Sequence, residues 1–389
     1  MWVARYPAKV TYFSDRTDVM APFLAMEVFE RAVALEAEGR SILHFEVGEP
    51  DFAAPSGAIT ATCEALGSNR TRYTDSRGLL ELREAIAEEK EFRTGIQVDP
   101  DRVIVTPGTS PAMLLVFSLL VSPGDEVLIP APYYPCYPNF VRFFGGVPVY
   151  VPCDPEKGFR IEASRVKSLM TGRTKALILS SPANPTGAVQ EPSVYEELSN
   201  LGLPIVSDEI YDGLLYDEAP SCTALGLDSP SFVLDGFSKR YAMTGFRLGY
   251  VIAPEEAVRK LHVLAQNTLI SVSDFVQRAG IAALREGLST LGEMKDAYDA
   301  RRIRMVDGLR RIGFSIPVLP RGAFYILAGA KNFGESSRNL AFSLLDRTGV
   351  AVTPGVDFGD EAEGFLRFCY AVSDETIDEG LIRLQKVLG

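Results

Sequence analysis

Three short apolar runs of this chain end in polar residues. "ALILS" runs into "SPANPTG", "PIVSD" into "EIYDG", and "FVLDG" into "FSK". In an open sheet covered by helices, ligands gather beyond the C-terminal ends of the strands. These three endings therefore mark where a pocket is expected. Asp208 closes the second run. A buried carboxylate is costly unless paired or hydrogen-bonded. It could cap a helix beginning at Glu209 and Ile210, or face a ligand with a protonated ring nitrogen. Lys239 follows the third run, within "GFSKRYAMTGFRLGY" (236–250). Desolvation disfavours the charged form of a lysine, and a neutral amine forms Schiff bases with aldehydes. The plainer alternative is a solvated surface lysine.

Other residues suit a phosphate. Arg247 offers two parallel hydrogen bonds and Ser238 a hydroxyl. In "TPGTSPAMLL", Gly108 permits a tight turn, Thr109 and Ser110 supply hydroxyls, and Pro111 suits the first turn of a helix. A helix start presents free N–H groups and the positive end of a dipole; ordinary N-capping is the alternative for this stretch alone. Taken together, the groups fit a ligand with an aldehyde, a phosphate and a protonatable ring nitrogen. That ligand is pyridoxal 5′-phosphate (PLP).

The elements that must position these residues alternate along the chain. Apolar residues recur at helical spacing from Phe23 to Glu38, and Gly39 is a stop. "ILHFEVGEPDF" reads as extended chain entering a turn. "RGLLELREAIAEEKEFRTG" reads as an amphipathic helix with Leu79, Leu82, Ile86 and Phe92 on one face. From Arg102 onward, β-rich runs ("RVIVT", "EVLIP", "VPVYV", "ALILS", "PIVSD", "FVLDG", "GYVIA") alternate with helical stretches. This pattern predicts a mostly parallel sheet covered by helices, an α/β fold. Three further strands are expected at "AFYILA", "VAVTP" and "FLRFCYA". The division expected is 1–48 as an N-terminal arm and helix, 49–285 as a large domain, and 286–389 as the rest of a smaller domain built from both chain ends.

Composition narrows the function. The net charge of −12 over 389 residues argues against a binder of nucleic-acid backbones. Five cysteines, with no CxxC pair, read as reduced thiols rather than a disulfide framework or zinc site. The two histidines, His44 and His262, read as packing or capping groups, so no metal is expected. The start, "MWVARYPAKV", lacks a signal-peptide core, and "MLLVFSLLV" is too short to span a bilayer. A cytoplasmic protein is the expectation.

The chain resembles the class I/II aminotransferases, aspartate aminotransferase-like enzymes of the fold-type I PLP class. "FEVGEPDF", "YTDSRGLLELREAIA", "PAPYYPCY", "SSPANPTG", "SDEIYDGL", "GFSKRYAMTGFRLGY", "GAFYI" and "FLRFCYA" occur in the family's order and at similar spacing. The resemblance implies a large domain with a mostly parallel central sheet and a smaller α+β domain. It implies that Lys239 holds PLP as a Schiff base and shuttles protons, and that Asp208 keeps the pyridine nitrogen protonated. Tyr211 and Asn184 would bond the ring's 3-oxygen, and Tyr134 would stack on the ring. Gly108, Thr109, Ser110, Ser238 and Arg247 would hold the phosphate. Tyr73 would reach the phosphate of a neighbouring subunit, nearer the partner's Arg247 than its own, in a homodimer with shared sites. Arg367 would grip the substrate α-carboxylate, with Asn184 and the Gly48 backbone close by. The Asn184–Pro185 bond would be cis. Gly236 stands where the family often has a serine, which removes one phosphate hydroxyl.

The implied reaction is ping-pong transamination between an L-amino acid and a 2-oxo acid. A carbon–sulfur β-lyase on the same scaffold would use the same residues. A non-catalytic PLP-binding regulator is disfavoured by the acidic charge and by the roughly forty-seven residues before the "GEPDF" turn. For the substrate side chain, Arg321 in "PRGAFY" is a candidate second cation. Phe23, Tyr134, Tyr137 and Phe140 favour a neutral or aromatic amino acid.

Overall fold

The segment near the start of the chain is held by the segment near its end. In a computed structural model, which describes residues 14–286, 288–334 and 336–389, β1 (Leu43–His44) pairs parallel with β10 (Val350–Ala351). Helix α1 (Leu24–Ala37) covers this pair through Val28, Ala32 and Leu35, which pack with Leu345 and Ala351. Gly39, at φ +88°, follows it. The first turn of α1 has no local cap. Instead Asp357, 333 residues away, accepts from the backbone N–H of Leu24 at 2.9 Å and of Ala25 at 3.1 Å, satisfying two of the donors a helix start leaves free.

Seven runs form the main sheet. They are β2 (Val103–Thr106), β3 (Glu126–Ala131), β4 (Val147–Pro152), β5 (Thr174–Ser180), β6 (Ile205–Asp208), β7 (Ser231–Gly236) and β8 (Gly249–Ile252). Their order is β2-β8-β7-β6-β5-β3-β4. Only β8 runs antiparallel to its neighbours. Strands β2, β6, β7 and β8 are buried at every position, which is why they read as unbroken apolar runs rather than alternating ones. Each face is nonetheless separate. Val103, Val105, Leu177 and Leu179 meet one core, with α3 (Leu80–Thr94), α7 (Pro192–Ser199) and α9 (Asp274–Glu286). Ile104, Ile178 and Phe232 meet the other, with α4 (Thr109–Leu120), α5 (Cys136–Phe143) and α8 (Glu255–Thr268). Two short helices, α2 (Ser56–Gly67) and α6 (Ala163–Leu169), complete the first side.

A second, antiparallel sheet has the order β11-β12-β9, from β9 (Tyr325–Gly329), β11 (Thr353–Pro354) and β12 (Phe365–Cys369). Its own core includes Met305 and Leu309 of α10 (Leu288–Ile312), Leu344 of α11 (Ser337–Thr348) and Ile377 of α12 (Asp374–Leu388).

The structure corrects three local expectations. "VAVTP" is two strands rather than one, because β10 pairs with β1 while β11 pairs with β12. Residues 209–213 form a turn and not a helix. On α3, Leu82 and Ile86 are buried as expected, but Phe92 is 79% exposed. The inward face is instead completed by Arg83 and Lys90.

Candidate active site

Beyond the C-terminal ends of the neighbouring strands β5, β6 and β7 lies a cavity of about 330 Å³. Ser180 stands opposite Asp208, and Asp208 opposite Leu234, so the three strand endings lie side by side. Among its lining residues are Gly48, Thr109, Ser110, Tyr134, Asn184, Asp208, Tyr211, Ser238, Lys239, Arg247 and Arg367. Eleven of the thirteen residues singled out in the sequence therefore meet at one wall. Gly108 stands just behind it, at the start of α4. Tyr73 is 83% exposed and lies outside the lining.

Asp208 is held by an extended chain whose side chains alternate. Asp208 and Ile210 face the cavity. The carboxylate accepts from the Tyr137 hydroxyl at 2.6 Å and from the Ile210 N–H at 3.3 Å. Burial pushes its pKa up to about 6, against the pull of these two donors. No cation pairs with it among the described residues. A buried carboxylate fully supplied on the protein side would have Lys or Arg beside it. This one suits a ligand that brings a protonated nitrogen.

Lys239 reaches the same cavity from the loop after β7. Its ammonium donates to the Gly48 carbonyl at 2.5 Å and lies 5.9 Å from the centre of the Phe324 ring. Burial draws its pKa down to about 8; Cys369 and Glu49 oppose this, while Arg367 and Arg247 add to it. A lysine so depressed has a sizeable neutral fraction near neutral pH and is a competent nucleophile.

The phosphate-type groups cluster at the start of α4. Gly108 has φ +97°, and a Cβ there would lie 2.6 Å from Arg247 Nη2. Gly249 is equally constrained, since its Cβ would lie 2.7 Å from the Gly108 carbonyl carbon. The two glycines let the helix start, the β8 backbone and the guanidinium converge. Arg247 itself sits at φ +54° and donates to the Thr244 carbonyl at 2.9 Å. Free N–H groups at the helix start, two hydroxyls and an arginine make an anion site.

Arg367 comes from the other sheet. It is 2% exposed and lies over the rings of Tyr325, at 4.5 Å, and Phe358, at 5.0 Å. It donates to Asn184 Oδ1 at 3.0 Å, Thr353 Oγ1 at 3.0 Å and the Glu46 carbonyl. Its Nε has no partner, and no carboxylate pairs with it among the described residues. The fork thus has capacity left for a carboxylate ligand. The Asn184–Pro185 bond is cis, as expected, and so are Ala131–Pro132 and Ser181–Pro182. The Tyr211 hydroxyl shares a hydrogen bond of 2.8 Å with that of Tyr325. A Cβ on Gly48 would lie 1.8 Å from that Tyr325 oxygen, so only glycine lets the segment pass. Tyr134 meets Phe23 and Tyr137 edge-on, at 6.0 and 5.4 Å.

Other expectations resolve differently. Arg321 is outside the cavity and pairs with Glu191 at 2.9 Å. Phe140, on α5, packs against the core on that side of the sheet instead of lining the cavity. Tyr325, Glu46 and Glu49 line it without having been singled out. Tyr325 stands in the "GAFYI" motif, and Glu46 and Glu49 in "FEVGEPDF", which were the available signals. His44 is bound by Glu46 at 2.7 Å and Glu36 at 3.3 Å, and its pKa is raised to about 9, chiefly by the Glu46 hydrogen bond. His262 meets Ser76 at 3.0 Å. Among the described residues no three potential metal ligands cluster, and no helix is long and apolar enough to cross a membrane.

Comparison with known proteins agrees with this geometry. The family profile described as aminotransferase class I and II matches residues 40–384. The chain is 37% identical to a probable aspartate/prephenate aminotransferase of Aquifex aeolicus, over 96% of this chain and 98% of that protein. It is 38% identical to the (5-formylfuran-3-yl)methyl phosphate transaminase of Methanocaldococcus jannaschii, over 94% and 96%. The crystal structure of the aspartate aminotransferase from Thermus thermophilus with maleate superposes with a TM-score of 0.92 at 36% identity, over 97% of this chain and all of that one.

Proposed function

The chain belongs to the class I and II aminotransferases, fold-type I enzymes that use PLP to transfer amino groups, and from that premise we propose how its residues divide the work and which substrates it takes. The observation that carries the assignment is the pairing, in one cavity, of a buried carboxylate lacking a cation with a lysine of depressed pKa. Bound PLP supplies an electron sink for charge developing at the substrate α-carbon.

Lys239 is the covalent anchor for the cofactor aldehyde. Its freed, neutral amine would be the base that takes the proton from the substrate α-carbon, holding it on Nζ as an ammonium that can then serve as general acid. Asp208 holds a proton on the ring nitrogen, and the Tyr137 hydroxyl keeps that carboxylate charged. Tyr211 and Asn184 bond the 3-oxygen, and Tyr134 covers the ring face. Thr109, Ser110, Ser238 and Arg247, with the helix start at Gly108, hold the phosphate. Arg367 binds the substrate α-carboxylate as a fork, with Asn184 and the Gly48 backbone completing that end. The outward-facing Tyr73 suits a phosphate in a second copy, which supports a homodimer as the active unit. The large domain spans 49–285, and 1–48 with 286–389 make the smaller one.

The names of the relatives cover dicarboxylate, cyclohexadienyl and furan substrates, so membership alone leaves the side chain open. The lining supports a neutral or aromatic L-amino acid. Its cations are Lys239, Arg247 and Arg367, each already assigned, while Phe23, Met26 and Tyr134 present apolar surface and Glu49 contributes a carboxyl group. Among the described residues a dicarboxylate side chain would meet no free cation there. The partner substrate is a 2-oxo acid such as 2-oxoglutarate or pyruvate.

The test is the visible spectrum of the PLP-loaded protein, mixed with single amino acids in the absence of any oxo acid. The yellow band is expected to bleach as about one equivalent of 2-oxo acid forms per site, faster with phenylalanine or tyrosine than with aspartate. Faster bleaching with aspartate would overturn the substrate class. A persistent band with release of ammonia and pyruvate would mean elimination instead.

A further inference from the structure

Below the cavity floor, on the opposite side of the same strand ends, lies a buried cluster of charged side chains. Its centre is Lys90 of α3, at 0% exposure. Its ammonium is 3.1 Å from Glu209 Oε2 and 2.8 Å from Asp235 Oδ2. One turn along α3, Arg93 pairs with Asp212 and Asp235. On the same helix, Glu89 forms an ion pair with Arg240 at 2.8 Å.

The sequence positions of these partners are informative. Glu209 follows Asp208, Asp212 follows Tyr211, and Arg240 follows Lys239. In each pair the first side chain lines the cavity and the second is gripped from beneath by α3. Glu209 is further fixed by Thr223 Oγ1 at 2.9 Å and the Ala224 N–H at 2.9 Å. Asp235, at the end of β7, accepts from Tyr250 at 3.1 Å. The cluster therefore ties to one helix the two short segments, 208–212 and 239–240, that carry the groups proposed as ring-nitrogen partner, 3-oxygen donor and anchor lysine.

Stability alone is a poor reason for such a cluster. Buried ion pairs are often replaceable by apolar side chains without loss of stability, while breaking one member leaves a costly unpaired charge. Three cations against four carboxylates also leave a negative balance close to Asp208, where Asp235 and Glu209 both act to raise its pKa. Lys90 offsets both.

We propose that Glu89, Lys90 and Arg93 of α3 are positioning residues that hold Asp208, Tyr211 and Lys239 in register, with Lys90 and Arg93 offsetting the carboxylates behind Asp208. The proposal rests on the roles given above to Asp208 and Lys239. That reading is checked separately: borohydride should trap PLP covalently in the wild type and not in Lys239→Ala. Trapping that survives Lys239→Ala would break the assignment of Lys239 and leave the cluster untouched.

The cluster is tested in the apoprotein by following the Asp208 carboxyl with ¹³C NMR, assigned through Asp208→Asn, and by titrating PLP. Glu209→Gln removes a negative charge and should lower the Asp208 midpoint by about half a unit or more, whereas Lys90→Met removes the positive charge and should raise it. Both should weaken PLP binding about tenfold, because a small displacement of the anchoring groups is felt strongly. A cluster that only stabilised the fold would lower the melting temperature and leave the Asp208 midpoint and PLP affinity at their wild-type values. That result would overturn the proposal. Should Lys90→Met not fold, Glu209→Gln, whose amide keeps the shape and an acceptor for Ala224, decides alone.

Discussion

The Tyr137 hydroxyl donates to Asp208 Oδ2 at 2.6 Å, from a helix on one side of the sheet to the end of a central strand. A hydrogen bond to a carboxylate stabilises its charged form. In Tyr137→Phe the Asp208 pKa should rise above its value of about 6. Less carboxylate is then ionised at neutral pH, so the acidic limb of PLP binding by the apoprotein should move to higher pH. Hydrogen bonds to charged groups are worth about 1.5–3 kcal/mol, so activity at pH 7 should fall about tenfold or more. An acidic limb that stays where it was would contradict this.

The depressed pKa of Lys239, about 8, sets a second pH dependence. The neutral amine is the reactive form, and its fraction grows as pH rises through that value. The rate at which the apoprotein captures PLP should therefore climb between about pH 6.5 and 8.5 and level off above. Stopped-flow absorption would record it. A rate still rising steeply above pH 9.5 would indicate an ordinary, solvated lysine.

Arg367→Lys keeps the charge but not the fork. Two parallel hydrogen bonds to the substrate carboxylate become one, and the contacts to Asn184, Thr353 and the Glu46 carbonyl loosen. The expected loss in kcat/KM is about 100-fold. The affinity of the apoprotein for PLP should change little, since Arg367 is assigned to substrate. A parallel loss of PLP affinity would place Arg367 on the cofactor instead.

Gly108→Ala puts a methyl group on a backbone at φ +97° and 2.6 Å from Arg247 Nη2. Left-handed backbone in a residue with a side chain costs about 1–2 kcal/mol, and the guanidinium must shift as well. PLP affinity should drop about tenfold or more, measured by fluorescence titration. Pyridoxal lacking the phosphate should bind the variant and the wild type alike.

Much of this site was readable in the sequence because its groups sit at strand ends inside short motifs, and strand ends converge by topology alone. Asp208, Lys239 and Asn184 needed no knowledge of tertiary packing. The hydrogen bond from Tyr137 was hidden, because its partner lies 71 residues away on another element. Helix α3 misled for a different reason. Apolar periodicity assigns Phe92 to the inside, but Lys90 takes that side because Glu209 and Asp235 await it there. A charge can be buried only where distant residues neutralise it, and a local pattern carries no record of them. Tyr73 stands apart from the others: it is 83% exposed and outside the lining.

Strands β7 and β8 are antiparallel neighbours, with Gly236 opposite Gly249. The twelve residues between them, which include both Lys239 and Arg247, are thus clasped at each end by the same ladder. The handles proposed for the two extremities of PLP, aldehyde and phosphate, belong to one loop of fixed span. Arg367 belongs to a different sheet altogether. A shift of that sheet as an amino acid arrives and an oxo acid leaves would alter the hold on the visitor while the tenant keeps its footing. An enzyme that must let go of product between its two half-reactions, yet never of its coenzyme, has that separation written into its strand order.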